Sequence, residues 1–240
     1  SYGWRIPFLA SAVLVLVGLY VRLNITETPV FQNALDHNKR VKVPVLTVFA
    51  QHTRVLVLGT LAALATFVLF YLMTVFALSW GTSALHYSRH DFLHIQLLAV
   101  LFFALGIPMS AWLADRYGRR GTLIWVSATI VGFGFLMSPL FGSGSTLGIT
   151  VFLSLGMWLM GMTYGPLGTL LSEMFPTAVR YTGSSMTFNF AGILGASLAP
   201  YLATTLATHY GLASVGYYLS IAAAISLVAL LISKPGSDAD

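Results

Sequence analysis

The octapeptide Ala114-Asp115-Arg116-Tyr117-Gly118-Arg119-Arg120-Gly121 carries four charges and lies between two apolar runs, each long enough to cross a bilayer. An apolar run of roughly 20 residues spans the hydrocarbon core as a helix, whereas a charge at the bilayer centre costs about 2.5–3.5 kcal/mol on insertion scales. The octapeptide is therefore expected to be a tight turn at a membrane face. Its three arginines point to the cytoplasmic face, because short cytoplasmic loops concentrate Lys and Arg.

Composition restricts the class further. Charged residues make up 8% of the chain, hydrophobic residues 57%, and the mean hydropathy is +0.83. A soluble domain has about a quarter of its residues charged. The lipid bilayer is thus the first partner the sequence implies. The net charge of +5 would suggest nucleic acid in a soluble chain, but here the basic residues fall between apolar runs, where membrane orientation explains them, so no nucleic-acid partner is expected. Absence of cysteine excludes disulfides, zinc-thiolate sites and thiol catalysis.

Seven spans are expected, at about Arg5–Val21, Val55–Trp80, Leu93–Ala114, Thr122–Phe141, Leu147–Leu171, Tyr181–Ala207 and Ala213–Ser233. Every backbone N–H and C=O in hydrocarbon needs an internal partner, and continuous rather than alternating apolar runs favour helices over a barrel, which gives an all-α membrane protein. The first run continues past Ala10-Ser11-Ala12, so it reads as a span and not as a cleaved signal peptide. The lack of a starting Met suggests that the chain is cut from something longer.

The segment 22–54 is the long polar one, with Arg22, Lys39, Arg40, Lys42 and Arg54 against Glu27 and Asp36. Placing it in the cytoplasm and alternating sides puts Arg116, Arg119, Arg120, Arg180 and Lys234 inside as well, leaving Arg5 and Arg89 outside. The N-terminus is then outside and the C-terminus inside. The formal glycosylation sequon Asn24-Ile25-Thr26 falls on the cytoplasmic side and should be unused.

The stretch Ala111-Trp112-Leu113-Ala114-Asp115-Arg116-Tyr117-Gly118-Arg119-Arg120 resembles the G-x-L-A-D-R-x-G-R-R loop of the major facilitator superfamily, with Ala111 where that pattern prefers Gly. Gly3-Trp4-Arg5-Ile6-Pro7-Phe8-Leu9, Glu27-Thr28-Pro29-Val30-Phe31 and the segment from Leu171 to Gly183 resemble its metabolite:proton symporter family. Members of that family carry shikimate, α-ketoglutarate, citrate, or proline and betaine. The resemblance runs over nearly the whole chain.

It implies that the spans are the sixth to twelfth of twelve. On that reading, 1–21 is the last helix of an N-terminal half, 22–54 the central cytoplasmic loop, 55–233 the C-terminal six-helix bundle and 234–240 a cytoplasmic, disordered-looking tail. The implied function is secondary transport of a small organic acid, amino acid or betaine-like metabolite by proton symport in the bacterial inner membrane, with the N-terminal half as missing partner. No cofactor is expected, and no enzyme, since no nucleophile, base or ligand constellation lies within the spans. Of the alternatives, a channel or receptor-like membrane protein lacks a pore-lining ring or ligand domain to support it, while the fragment on its own, without the other half, is expected not to transport.

Asp115 and Glu173 close their spans and place carboxylates at the unfavourable end of each helix dipole, so each needs a partner. The expected inner gate consists of Asp115, Arg116, Arg119, Arg120, Glu173 and Arg180. Asp115 is expected to dock on the start of the sixth span, and Glu173 to pair with Arg116, Arg119 or Arg180. Substrate-binding candidates are polar or aromatic residues at helical spacing within spans: Tyr71 and Thr74, beside Phe67 and Phe70; Trp158 and Met162, with Thr169; and Ser185 and Asn189, with Gly192. Asn189 is the most informative, because a mid-span amide must find a partner or face water. No Asp, Glu or His lies mid-span, so a proton-titrating carboxylate is expected in the absent half or at the inner rim.

Gly161-x-x-x-Gly165 should allow close helix approach, with Gly156 and Gly168 extending a smooth face, and Pro166 should invite a kink. Pro108, Pro139 and Pro200 are expected to interrupt the third, fourth and sixth spans. His86, His90 and His94 follow an i, i+4, i+8 spacing. They are read as incidental residues of a wet external loop, with no metal site.

Overall fold

Apolar runs with internally satisfied backbones become helices, and the computed structural model, which describes residues 3–24 and 43–233, consists of helices and short connections with no strand among the described residues. The motif 27–31, the sequon beyond Asn24, Lys39, Arg40, Lys42, Lys234 and the tail 235–240 lie outside the described residues. Contacts divide the chain into Ser1–Arg40 and Val41–Asp240. In the first unit a short 3-10 turn, Gly3–Arg5, leads into α1, Ile6–Asn24, whose Phe8, Val13, Leu16 and Tyr20 are all exposed, so its surface is apolar around the circumference.

The second unit holds α2 (Pro44–Gln51), α3 (Thr53–Ser83), α4 (Arg89–Tyr117), α5 (Arg119–Gly134), α6 (Thr146–Glu173), α7 (Arg180–Tyr210) and α8 (Leu212–Ile232). Among these, α3, α4, α6, α7 and α8 are each long and apolar enough to cross a membrane, while α1 has a shorter apolar stretch, Phe8–Asn24. The expected span Thr122–Phe141 is interrupted, as Pro139 suggested, but the helix already stops five residues before that proline. α5 ends at Gly134, Phe135 and Leu136 turn with i→i−3 bonds to Gly132 and Phe133, and a π turn, Met137–Phe141, follows. Pro139 within that turn has no N–H to extend the helix.

The charged octapeptide is less of a turn than expected. Ala114–Tyr117 continue α4 and Arg119–Gly121 already belong to α5, so Gly118 alone joins them. It does so at φ 82°, in the left-handed region where a Cβ is strained.

Two of the prolines, Pro139 and Pro200, fall within or just after an interruption, whereas the helices continue through the other two. α4 runs unbroken through Pro108 and α6 through Pro166. Among the described residues three π turns interrupt the helices: Met137–Phe141; Ile193–Ser197, just before Pro200; and Leu72–Phe76 in α3, which contains no proline.

Helices neighbouring in sequence are not the main partners in space. α4 packs chiefly on α6, while α8 packs chiefly on α5 and α3. The α4–α6 seam is close because glycines face each other. A Cβ at Gly106 would sit 2.6 Å from the Trp158 carbonyl oxygen, and one at Gly161 or Gly165 would run into Phe103 and Gly106 or into Ser110. The smooth face expected for α6 is divided: Gly156 lies against Met73 of α3, and nothing lies within contact of Gly168. α8 is keyed to α3 by Ser226, whose hydroxyl donates to Leu61 O (2.6 Å) and accepts from Ala65 N–H (2.9 Å). The hydroxyl thus inserts into one rung of the α3 ladder, which satisfies a buried polar group at a helix contact.

The buried core runs through α3, α6 and α8, with Leu69, Phe76, Phe152, Met157 and Leu219 almost inaccessible. α4 and α7 are largely exposed. On α4 the exposed residues Leu97, Leu101 and Leu105 form an i, i+4, i+8 apolar stripe, the surface a helix presents to lipid.

Candidate functional site

Two places in the second unit gather polar chemistry: the rim where α4, α6 and α8 end and α5 and α7 begin, and a cleft toward the other ends of α3 and α4.

At the rim, Arg119 Nη1 donates to Glu173 Oε1. Arg119 is the first residue of α5 and Glu173 the last of α6, so each side chain stands at the end of its helix dipole that repels it. Pairing relieves both. The two side chains are 41% and 46% exposed, so the pair contributes no more than about 1 kcal/mol. Arg120 does a different job: its Nε and Nη2 donate to the carbonyls of Leu230 (2.8 Å) and Leu231 (2.9 Å), capping the C-terminus of α8. Arg180 Nε donates to Phe175 O (3.2 Å), across the connection between α6 and α7.

Arg116 lies over the rings of Trp112 (5.7 Å) and Tyr117 (5.6 Å) rather than on a carboxylate. Asp115 is exposed and has no hydrogen-bond or ion-pair partner among the described residues. The structure therefore brings Glu173 to Arg119 and does not bring Asp115 onto the start of α7. Because α4 continues through Tyr117, Asp115 stays on the last helical turn with its side chain in solvent.

The six substrate candidates do not share one wall. Met162 is buried in the core at 3% exposure, and Trp158 is half-buried against it. Tyr71 and Thr74 are half-buried on α3, Tyr71 edge-on to Phe70 at 5.2 Å and Thr74 donating to Phe70 O (2.7 Å). Ser185 and Asn189 are exposed on α7, and the Asn189 amide nitrogen donates to Ser185 O (2.8 Å), with no hydrogen bond to its side-chain oxygen among the described residues. Phe67 lies edge-on to Phe188 of α7 at 4.9 Å.

A residue the sequence did not single out is Gln96. Its amide nitrogen donates to the carbonyls of Met73 (3.1 Å) and Thr74 (2.8 Å), within the α3 π turn. A π turn disturbs the i→i−4 ladder, and the Gln96 amide satisfies carbonyls at that point. The signal was present in the sequence as an amide inside the apolar run of α4, but the partner carbonyls exist only once α3 is bent. Of the three histidines, His86 precedes α4 at φ 56°, while His90 and His94 share its first turns with ring centroids 4.4 Å apart. Asp91 approaches His90 at 3.9 Å, and ligand atoms of His90, Asp91 and His94 lie within 4.8 Å of one another, all exposed.

Five long apolar helices, a buried helix core and charges gathered at helix ends define an all-helical integral membrane protein. Residues 1–194 match the family model of the Major Facilitator Superfamily, and the chain belongs to that superfamily. Among its relatives, the inner membrane metabolite transport protein YhjE of Escherichia coli is 47% identical over 97% of this chain and 54% of its own length. The shikimate transporter of Escherichia coli is 32% identical over 98% of this chain and 55% of its own. The citrate-proton symporter of Klebsiella pneumoniae is 31% identical over 95% and 52%. The chain thus spans about half the length of the curated relatives it matches. No solved structure matches it.

Proposed function

We propose that this chain is the sixth-to-twelfth-helix portion of a proton-coupled carrier for a small organic acid, amino acid or betaine-like metabolite in a bacterial inner membrane. Superfamily membership and metabolite-transporter relatives support the transport class. The observation that carries the site is Asn189. An exposed amide whose side-chain oxygen lacks a partner within a membrane-crossing helix does not face lipid without cost, so the α7 face bearing Ser185 and Asn189 borders a watery cavity shared with an N-terminal half. Tyr71, Thr74 and Trp158 contribute to the cavity from α3 and α6, and Met162 supports it from behind.

The rim with Arg119, Arg120, Glu173 and Arg180 is the cytoplasmic side. Arg119–Glu173 holds the ends of α5 and α6 together in one state of alternating access, and a pair worth no more than about 1 kcal/mol suits a contact that breaks in every cycle. Asp115 docks on α7 when the rim closes further, with Arg116 stacked beside it. The central loop 22–54 and the tail 234–240 are then cytoplasmic, and the N-terminus is outside.

Uptake of labelled shikimate, citrate, proline and glycine betaine by the full-length gene product, with and without a proton gradient, tests this reading. Gradient-dependent accumulation of one of them is expected. Passive, saturation-free flux of all four would replace the carrier with a channel.

A further inference from the structure

We propose that the cleft between the outer ends of α3 and α4 binds the carboxylate end of a solute that also carries N–H or O–H donors, with Arg89 as the carboxylate ligand. The cleft is about 500 Å³, within the range of small-molecule sites, and its polar lining is Thr74, Ser79, Thr82, Arg89 and Gln96, with Val75 and Leu78 beside them.

The charge at its mouth has no structural duty. Arg89 is the first residue of α4, where the helix dipole repels a cation, and among the described residues it makes no hydrogen bond or ion pair. The nearby carboxylate of Asp91 is turned to Ser88 Oγ (2.6 Å) and His90. Arg89 therefore offers an unused guanidinium fork, the group best matched to a carboxylate.

The remaining polar groups offer mainly the opposite half of a hydrogen bond. Thr74 and Thr82 give their hydroxyl protons to Phe70 O (2.7 Å) and Leu78 O (2.9 Å), and Gln96 gives its amide protons to the α3 π turn. What they retain toward the cleft are lone pairs: the threonine oxygens and Gln96 Oε1. One cation and several acceptors suit a hydroxy acid or an amino acid. A quaternary betaine satisfies the cation and leaves the acceptors without donors. This inference rests on the carrier reading for its biological meaning, and the test separates the two.

The full-length protein is purified in detergent and titrated with shikimate, proline and glycine betaine while its thermal midpoint is followed. Shikimate or proline is expected to stabilise the wild type more strongly than glycine betaine. Arg89→Gln should weaken that binding about tenfold or more, as loss of a charge-assisted pair does. Arg89→Lys should recover part of it, and Thr74→Val should weaken shikimate or proline while sparing glycine betaine. Equal binding by wild type and Arg89→Gln, or no stabilisation of the wild type by any of the three, overturns the proposal. Uptake by the same variants judges the carrier separately: transport undiminished in Arg89→Gln removes the cleft and keeps the carrier. Arg89-dependent binding without any uptake does the reverse.

Discussion

Glu173 and Arg119 show how far single residues explain the rim. Each is a charge at the wrong end of its own helix, a fact readable from where the apolar runs stop, and each finds relief in the other. Which cation meets which carboxylate was not readable, because it depends on α4 and α5 being separated by Gly118 alone. Asp115, expected to dock on α7, is in solvent, and Arg116 rests on aromatic rings. Because the pair is nearly half exposed, Glu173→Gln in the full-length protein should change unfolding stability by less than about 1 kcal/mol. The same substitution should raise the labelling rate of a cysteine placed in the inner cavity. An unchanged rate would reduce the pair to a helix-end tie.

Among the elements, α4 and α6 are held by what their glycines lack. Gly106, Gly161 and Gly165 allow the two backbones to approach until a methyl group no longer fits, whereas Gly168 on the same helix faces open space. Gly106→Val should therefore cost about 1–3 kcal/mol or more through overpacking, seen as a lowered thermal midpoint in detergent. Gly168→Ala should leave the midpoint unchanged or raise it, since alanine favours the helix by up to about 1 kcal/mol. Similar losses for both would mean that the seam is not where glycine matters. The Gly161-x-x-x-Gly165 motif marked this contact in advance. The α3 π turn was not marked, because the group that satisfies its carbonyls, the Gln96 amide, reaches across from α4 and is not part of the turn.

For the molecule as a whole, the distribution of surface matters most. α4 shows an aliphatic stripe and α7 shows Ser185 and Asn189, so the exposed area divides into a face suited to lipid and a face suited to water or protein. These 240 residues contain no cysteine, so a single cysteine introduced among them is the only thiol they present, any cysteine in the rest of the full-length protein being replaced first. In intact cells an impermeant maleimide should label Ser143→Cys, in the connection between α5 and α6, and should reach Ala178→Cys, between α6 and α7, only after permeabilisation. The reverse pattern would invert the proposed topology and place the Arg119 rim outside.

The sequence alone determined that this chain is helical and membrane-embedded, where most of its long helices lie, though not that the run 122–141 breaks after Gly134, and which charges gather at helix ends. These follow from solvation, because in hydrocarbon each run must satisfy its own backbone and each charge must leave the core. The tertiary structure alone decided that α4 packs on α6 and α8 on α5 and α3, that Arg119 rather than Arg116 meets Glu173, and that Gln96 holds the α3 bend. Those choices depend on close contacts between residues distant in sequence, which hydropathy, being a property of one segment at a time, does not encode.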